Sequence, residues 1–257
     1  GNIRTIQVNV MGEVKVPGTY AMSSFSNMLH AIYRAGGVNE LGTLREIKLF
    51  RNGKLKASAD LYEFMMDGNA PDEITLEEGD LIIVSPYKNL VDIDGSVKRP
   101  MAYELKEGET VRDLLDYAGG FAGDAYKSNI RVVRQNGAEY QVFTVETPQY
   151  DEFVMMDGDL VTVGTMIDRY ENKLEIKGAV YRPGIYQLGD EIKTVSQLIR
   201  KADGLKGDAF TNRALLHRER EDFTLEVIPI DVKAILEGKA EDLPLKRNDL
   251  LYIASIH

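Results

Sequence analysis

The chain has 257 residues, with 31 basic and 41 acidic side chains, a formal charge of −10 and no cysteine. The acidic balance argues against a nucleic-acid partner, which needs a basic face, and the missing cysteines exclude disulfides and thiolate metal sites. No stretch reaches the ~20 apolar residues of a membrane span. No signal peptide is visible, and a chain that begins at Gly1 instead of Met is expected to have lost a native leader.

The first predicted element is a β-hairpin around Gly12-Glu13-Val14-Lys15-Val16-Pro17-Gly18-Thr19-Tyr20. The same pattern returns at Gly95-Ser96-Val97-Lys98-Arg99-Pro100-Met101-Ala102-Tyr103 and at Gly178-Ala179-Val180-Tyr181-Arg182-Pro183-Gly184-Ile185-Tyr186. Its first glycines are 83 residues apart both times (95 − 12 and 178 − 95). That period is too long for a solenoid and suits a small domain. Pro17-Gly18 and Pro183-Gly184 predict type II turns, in which glycine takes φ > 0. Pro100-Met101 cannot do so cheaply and predicts a type I turn or a longer loop.

A helix follows in each copy, beginning near Asn27, Thr110 and Thr194. Val111, Leu114, Leu115 and Ala118 fall at i, i+3, i+4 and i+7 on one apolar face, as do Val195, Leu198, Ile199 and Ala202. Thr194 with Gln197 reads as a capping box, and Thr110 with Asp113 as a near version. The helices stop at Gly36-Gly37, Gly119-Gly120 and Asp203-Gly204, with Gly120 read as the left-handed stop of the second copy and Gly119 as the alternative. Strands are expected at Ile47–Arg51, Ile130–Arg134 and Ala214–His217, with hairpin turns at Asn52-Gly53 and Asn136-Gly137. A short helix follows Asp60 and Asp231, whereas Pro148 disfavours one in the second copy. Each unit closes on an apolar strand after Gly79-Asp80, Gly158-Asp159 or Asn248-Asp249, and a continuous apolar run fits a central strand. The fold class is α+β: three tandem β-grasp (ubiquitin-like) domains, each a mixed sheet around one helix, spanning 1–88, 89–171 and 172–257.

Most motifs that would carry chemistry fail on spacing. His30, His217 and His257 form no ligand set, and Asp92-Ile93-Asp94-Gly95 begins like a calcium loop but has Tyr103 at its twelfth position. Gly119-Gly120-Phe121-Ala122-Gly123 follows a helix where a phosphate cradle must open one. The acids of 72–80 read as a solvated turn before the last strand. No catalytic residue, metal or cofactor is expected. Tyr20, Tyr103 and Tyr186 occupy equivalent hairpin positions; they either pack against the helix with the hydroxyl at the rim or stack on sugar rings. The run His217-Arg218-Glu219-Arg220-Glu221-Asp222 reads as a solvated hairpin tip, with Arg218 and Arg220 the candidate partner contacts. A small β-grasp core leaves little interior for a cavity of several hundred Å³, so sheet edges, loops and inter-domain grooves are the expected working surfaces.

The motif G-x-V-x-x-P-G-x-Y, the helix ending in A-G-G and the closing G-D-L run resemble the soluble ligand-binding β-grasp (SLBB) domain, over about residues 6–255. Three in tandem resemble the periplasmic part of Wza-type polysaccharide export proteins. The export domain that precedes such repeats and a C-terminal amphipathic helix are not seen within these residues, so either a trimmed piece of a longer protein or an accessory, pore-free member is expected. The resemblance implies a periplasmic or outer-membrane location, export-complex proteins as partners, and a homo-oligomer in the full-length form. It points first to a non-catalytic structural component of capsular or exopolysaccharide export. Direct binding of the polysaccharide is the alternative, and a cofactor-binding accessory domain of a redox complex a third reading.

Overall fold

In a computed structural model, which describes residues 3–68 and 74–257, each copy of the motif opens a five-stranded mixed sheet. The first repeat runs β1 (Thr5–Gly12), β2 (Gly18–Ser23), α1 (Met28–Arg34), β3 (Gly42–Arg51), β4 (Lys54–Ala59), α2 (Leu61–Asp67) and β5 (Leu81–Pro86). The second runs β6 (Leu90–Gly95), β7 (Met101–Glu104), α3 (Val111–Tyr117), β8 (Asn129–Gln135), β9 (Tyr140–Glu146), a 3-10 turn (Thr147–Gln149) and β10 (Leu160–Val163). The third runs β11 (Lys173–Gly178), β12 (Gly184–Gln187), α4 (Val195–Lys201), β13 (Ala214–Glu219), β14 (Leu225–Ile230), α5 (Val232–Leu236) and β15 (Leu250–Ile253). Strand order is β2-β1-β5-β3-β4, and its equivalent in the other two, with the closing strand central and parallel to the first.

Sequence patterning explains the elements. Asn27, Thr110 and Thr194 stand at the helix N-caps, and α1, α3 and α4 bury the apolar faces read from their spacing. All three helices end in a Schellman motif. The Gly119 N–H bonds Asp116 O at 3.0 Å and the Gly120 N–H bonds Leu115 O at 2.8 Å, and both glycines are left-handed (φ 82° and 85°).

The expected type II turn at Pro17-Gly18 does not form. Gly18 is not left-handed and already pairs with Val10 as the first residue of β2. The left-handed glycine is the first of the motif: φ is 85° at Gly12, 86° at Gly95 and 94° at Gly178. At Gly95 a Cβ would lie 2.0 Å from the carbonyl oxygen of Val163, so the close approach of the closing strand excludes any side chain. The residues after it form a loop that clasps the helix end. Val16 N–H bonds Ala35 O at 2.8 Å, Arg99 bonds Ala118 O at 2.8 Å and Arg182 bonds Ala202 O at 3.0 Å. A tight turn could not reach the helix, which is why the hairpin loop is longer than its Pro-Gly pair suggests.

The chain divides into two compact units, Gly1–Met166 and Ile167–His257. The first holds two repeats whose cores interlock, since Tyr62 and Leu44 of the first repeat pack into the second repeat's core. The second unit is one repeat around Leu174, Ile176, Leu198, Leu216 and Leu251.

Candidate interaction surface

Two sets of polar side chains are covered by the fold: those that close each repeat and those at the junction of repeats one and two. The first set includes all three signature tyrosines. The Tyr103 hydroxyl donates to Arg99 O at 2.7 Å, the Tyr186 hydroxyl to Arg182 O at 2.6 Å, and the Tyr20 hydroxyl to Val16 O. Each hydroxyl thus ties the clasp loop to its own strand. Tyr103 is buried, whereas Tyr20 and Tyr186 are half-buried.

The same set holds a clasp that reading the sequence missed. The carboxylates of Asp80, Asp159 and Asp249 are fully buried, and each meets an arginine at the end of the neighbouring strand. Arg51 bonds Asp80 through two nitrogens at 2.9 Å, Arg134 bonds Asp159 through two at 2.9 Å, and Arg218 bonds Asp249 at 3.1 and 2.8 Å. The hydrogen bonds to Asp80 and Asp249 hold Arg51 and Arg218 above the ordinary arginine pKa. The signal was available, because Arg51, Arg134 and Arg218 keep the repeat spacing of 83 and 84 residues. The expected solvated tip must therefore be corrected at Arg218, which lies in β13, largely covered, with its guanidinium on the buried carboxylate of Asp249, because an unpaired buried carboxylate is costly. Arg220 does sit at the exposed hairpin end, where it pairs with Glu226 at 3.3 Å.

At the junction, Arg45 of β3 is buried beneath the second repeat. Its guanidinium meets Asp60 at 3.0 Å and Glu109 at 2.7 Å, donates to Glu104 O at 2.8 Å and to the Tyr117 hydroxyl at 2.9 Å, and lies 4.5 Å from the Tyr62 ring centre. Lys106 reaches back to Asp60 at 2.8 Å. Burial opposes the charge on Arg45, but hydrogen bonds to Glu109 and Asp60 outweigh it and raise its pKa. Burial likewise opposes the charge on Asp60 and Glu109. Hydrogen bonds from Lys106 and Arg45 to Asp60, and from Arg45 and Tyr117 to Glu109, still hold both below the ordinary carboxylate range. Burial and its bond to Glu109 raise the Tyr117 phenol.

The junction is flanked by clefts. One of about 1060 Å³ is polar and lined by Lys48, Ser58, Lys88, Lys106 and Glu107 among others. Another, of about 650 Å³, is lined by Met65, Met66, Tyr87, Arg99 and Met101. A groove of about 660 Å³ also runs beside α1 inside the first repeat, larger than a lone β-grasp was expected to leave. Leu61 of α2 lines it, while the next residue, Tyr62, packs into the second repeat's core; in the third repeat α5 packs on its own helix α4. Among the described residues no cluster of three metal-ligating side chains forms. Of the acids read as a solvated turn, Asp72 and Glu73 lie outside the described residues.

Two SLBB domain models match the chain, one over residues 6–84 and one over residues 90–143. The chain is 25% identical over 174 residues to the polysialic acid transport protein KpsD of Escherichia coli, covering 67% of this chain and 30% of that protein. It is 29% identical over 161 residues to the EPS I polysaccharide export outer membrane protein EpsA of Ralstonia nicotianae, covering 60% of this chain and 42% of that one. The chain therefore spans less than half the length of either relative. With the signature loops, the helix stops and the closing strands in register, it is a protein of tandem SLBB domains.

Proposed function

We propose that this chain is a non-catalytic, periplasmic interaction component of an apparatus that exports capsular polysaccharide or exopolysaccharide, and that it works by contact with other envelope proteins of that apparatus. The observation that carries this reading is the similarity to two export proteins over a region made of SLBB repeats. The way the repeats use their polar groups agrees with it. Arginines and acids are paired in clasps, the signature tyrosines bond main-chain carbonyls, and Arg45 joins two repeats into one body. Such a body presents loops, strand edges and clefts at fixed separations, which suits repeated weak contacts strengthened by avidity.

Deletion of the gene in its native host, with polysaccharide measured outside the cell and within the envelope, tests the role. Polymer should be made but retained, and the wild-type gene should restore export. Unchanged external polysaccharide, or loss of synthesis itself, would reject the proposal. Fractionation of the same cells tests the location.

A further inference from the structure

The cleft of about 650 Å³ between α2 and β7 combines three features that point to one kind of ligand. The first is an open strand edge. β7 ends its sheet and, among the described residues, pairs only with β6. Ala102 stands opposite Asp92, whose N–H is directed away to Asp159 O at 3.0 Å. Their pair is thus of the non-hydrogen-bonded type, and the Ala102 N–H and carbonyl face the free edge. Glu104, two residues on, faces the same way. Its N–H bonds the Tyr62 hydroxyl at 2.8 Å and its carbonyl accepts from Arg45 at 2.8 Å. Repeat one thus pairs with part of this edge, and Ala102 has no such partner among the described residues.

The second feature is a cation without an acid. Arg99 donates to Tyr117 O at 3.0 Å and meets the Met66 sulfur at 3.8 Å, but among the described residues no carboxylate pairs with it. In the third repeat the equivalent Arg182 pairs with Asp203, whereas the second repeat has Gly119 at that place. The third feature is apolar: Met65 and Met101 are more than half exposed at the cleft, with Met66 beside them.

We propose that this cleft binds an extended segment of a partner protein that carries an apolar side chain next to a carboxylate. The segment adds to β7 as a further strand through main-chain bonds to Ala102. Its apolar side chain lies among the three methionines, whose thioethers adapt to its shape. Its carboxylate pairs with the Arg99 guanidinium. The assignment stands on this geometry alone and does not depend on the export role.

The test is selection of a displayed library of random hexapeptides on the whole chain, followed by fluorescence-anisotropy titration of the synthetic winners. Winners should share an acid beside an apolar residue. Arg99→Glu should weaken them roughly tenfold, as loss of a charge pair does, and exchange of their acid for its amide should cost as much on the wild type and little on Arg99→Glu. Ala102→Pro, which removes the edge N–H, should abolish binding, while Tyr186→Phe in the third repeat should leave it unchanged. Circular dichroism shows whether each variant is folded, and Met101→Glu at an exposed position replaces Ala102→Pro if the latter unfolds. The proposal is overturned if no peptide is enriched, if winners are basic, or if they bind the Arg99 and edge variants as they bind wild type.

Discussion

The guanidinium of Arg45 meets the carboxylate of Glu109 at 2.7 Å, and with that contact a strand of repeat one is joined to the segment that leads into helix α3 of repeat two. Tyr117 donates to the same carboxylate, and Tyr62 stacks edge-on against Tyr117 with ring centres 5.2 Å apart. The junction is therefore a desolvated ion pair inside an aromatic box. Removing one partner strands the others, which is the condition under which a buried pair matters most.

Arg45→Ala is accordingly expected to destabilise the first unit by about 3–5 kcal/mol, the range for an orphaned buried charge. Denaturant unfolding with a double-mutant cycle provides the measurement. Arg45→Ala combined with Glu109→Gln should cost clearly less than the sum of the two single changes. Additive costs would mean that the pair is not coupled.

Acid should act at the same place. Asp60 and Glu109 have folded-state pKa values below their unfolded ones, so their stabilisation is present above the ordinary carboxylate pKa of about 4. It is lost as pH falls from there through the folded values. Raised values at Arg45 and Tyr117 work in the opposite direction and are lost only in strong alkali. Melting temperature measured downward from pH 6 should fall below about pH 4, and Asp60→Asn should flatten that slope. An identical slope in the variant would argue against Asp60 as a contributor.

The backbone glycines separate two kinds of constraint. Gly120→Val places a β-branched residue at φ 85° with open space around it, so strain alone should cost about 1–3 kcal/mol. Gly95→Ala adds only a methyl group, yet that group meets the Val163 carbonyl oxygen at 2.0 Å. The β6 and β10 strands would have to part, so the smaller substitution should destabilise more. Thermal melts of both variants decide the order, and the reverse order would show that the strands can shift.

These cases also show why part of the molecule was legible in its sequence. Gly12, Gly95 and Gly178 recur because a carbonyl oxygen stands against each of them, and the helix stops recur because a Schellman motif needs left-handed residues. Such demands of the backbone repeat with the fold. The clasps of Arg51, Arg134 and Arg218 repeat as well, but a strand-end arginine beside other charges looks solvated until its partner across the sheet is known. The junction could not be read from the repeat at all. Arg45 becomes Ser128 and Asn212 in the other copies, so the interface is built where the repeats differ.

The last prediction concerns the two arginines of the third repeat that looked alike in sequence. Arg218 pairs with the buried carboxylate of Asp249 and also donates to Pro244 O at 2.9 Å. Asp249 in turn accepts from the Lys246 N–H at 2.7 Å, so one carboxylate holds the end of β13 and the turn before β15 together. Arg218→Ala would leave that carboxylate without its cation and should destabilise the second unit by about 3–5 kcal/mol. Arg220 is more than half exposed, and its pair with Glu226 is screened by solvent. Arg220→Ala should therefore change stability by less than about 1 kcal/mol. If Arg220 is a partner contact, its loss should appear in export and not in the melt. Urea unfolding of the two variants, alongside export by a strain carrying each, separates the roles. Equal destabilisation by both changes would place the clasp elsewhere.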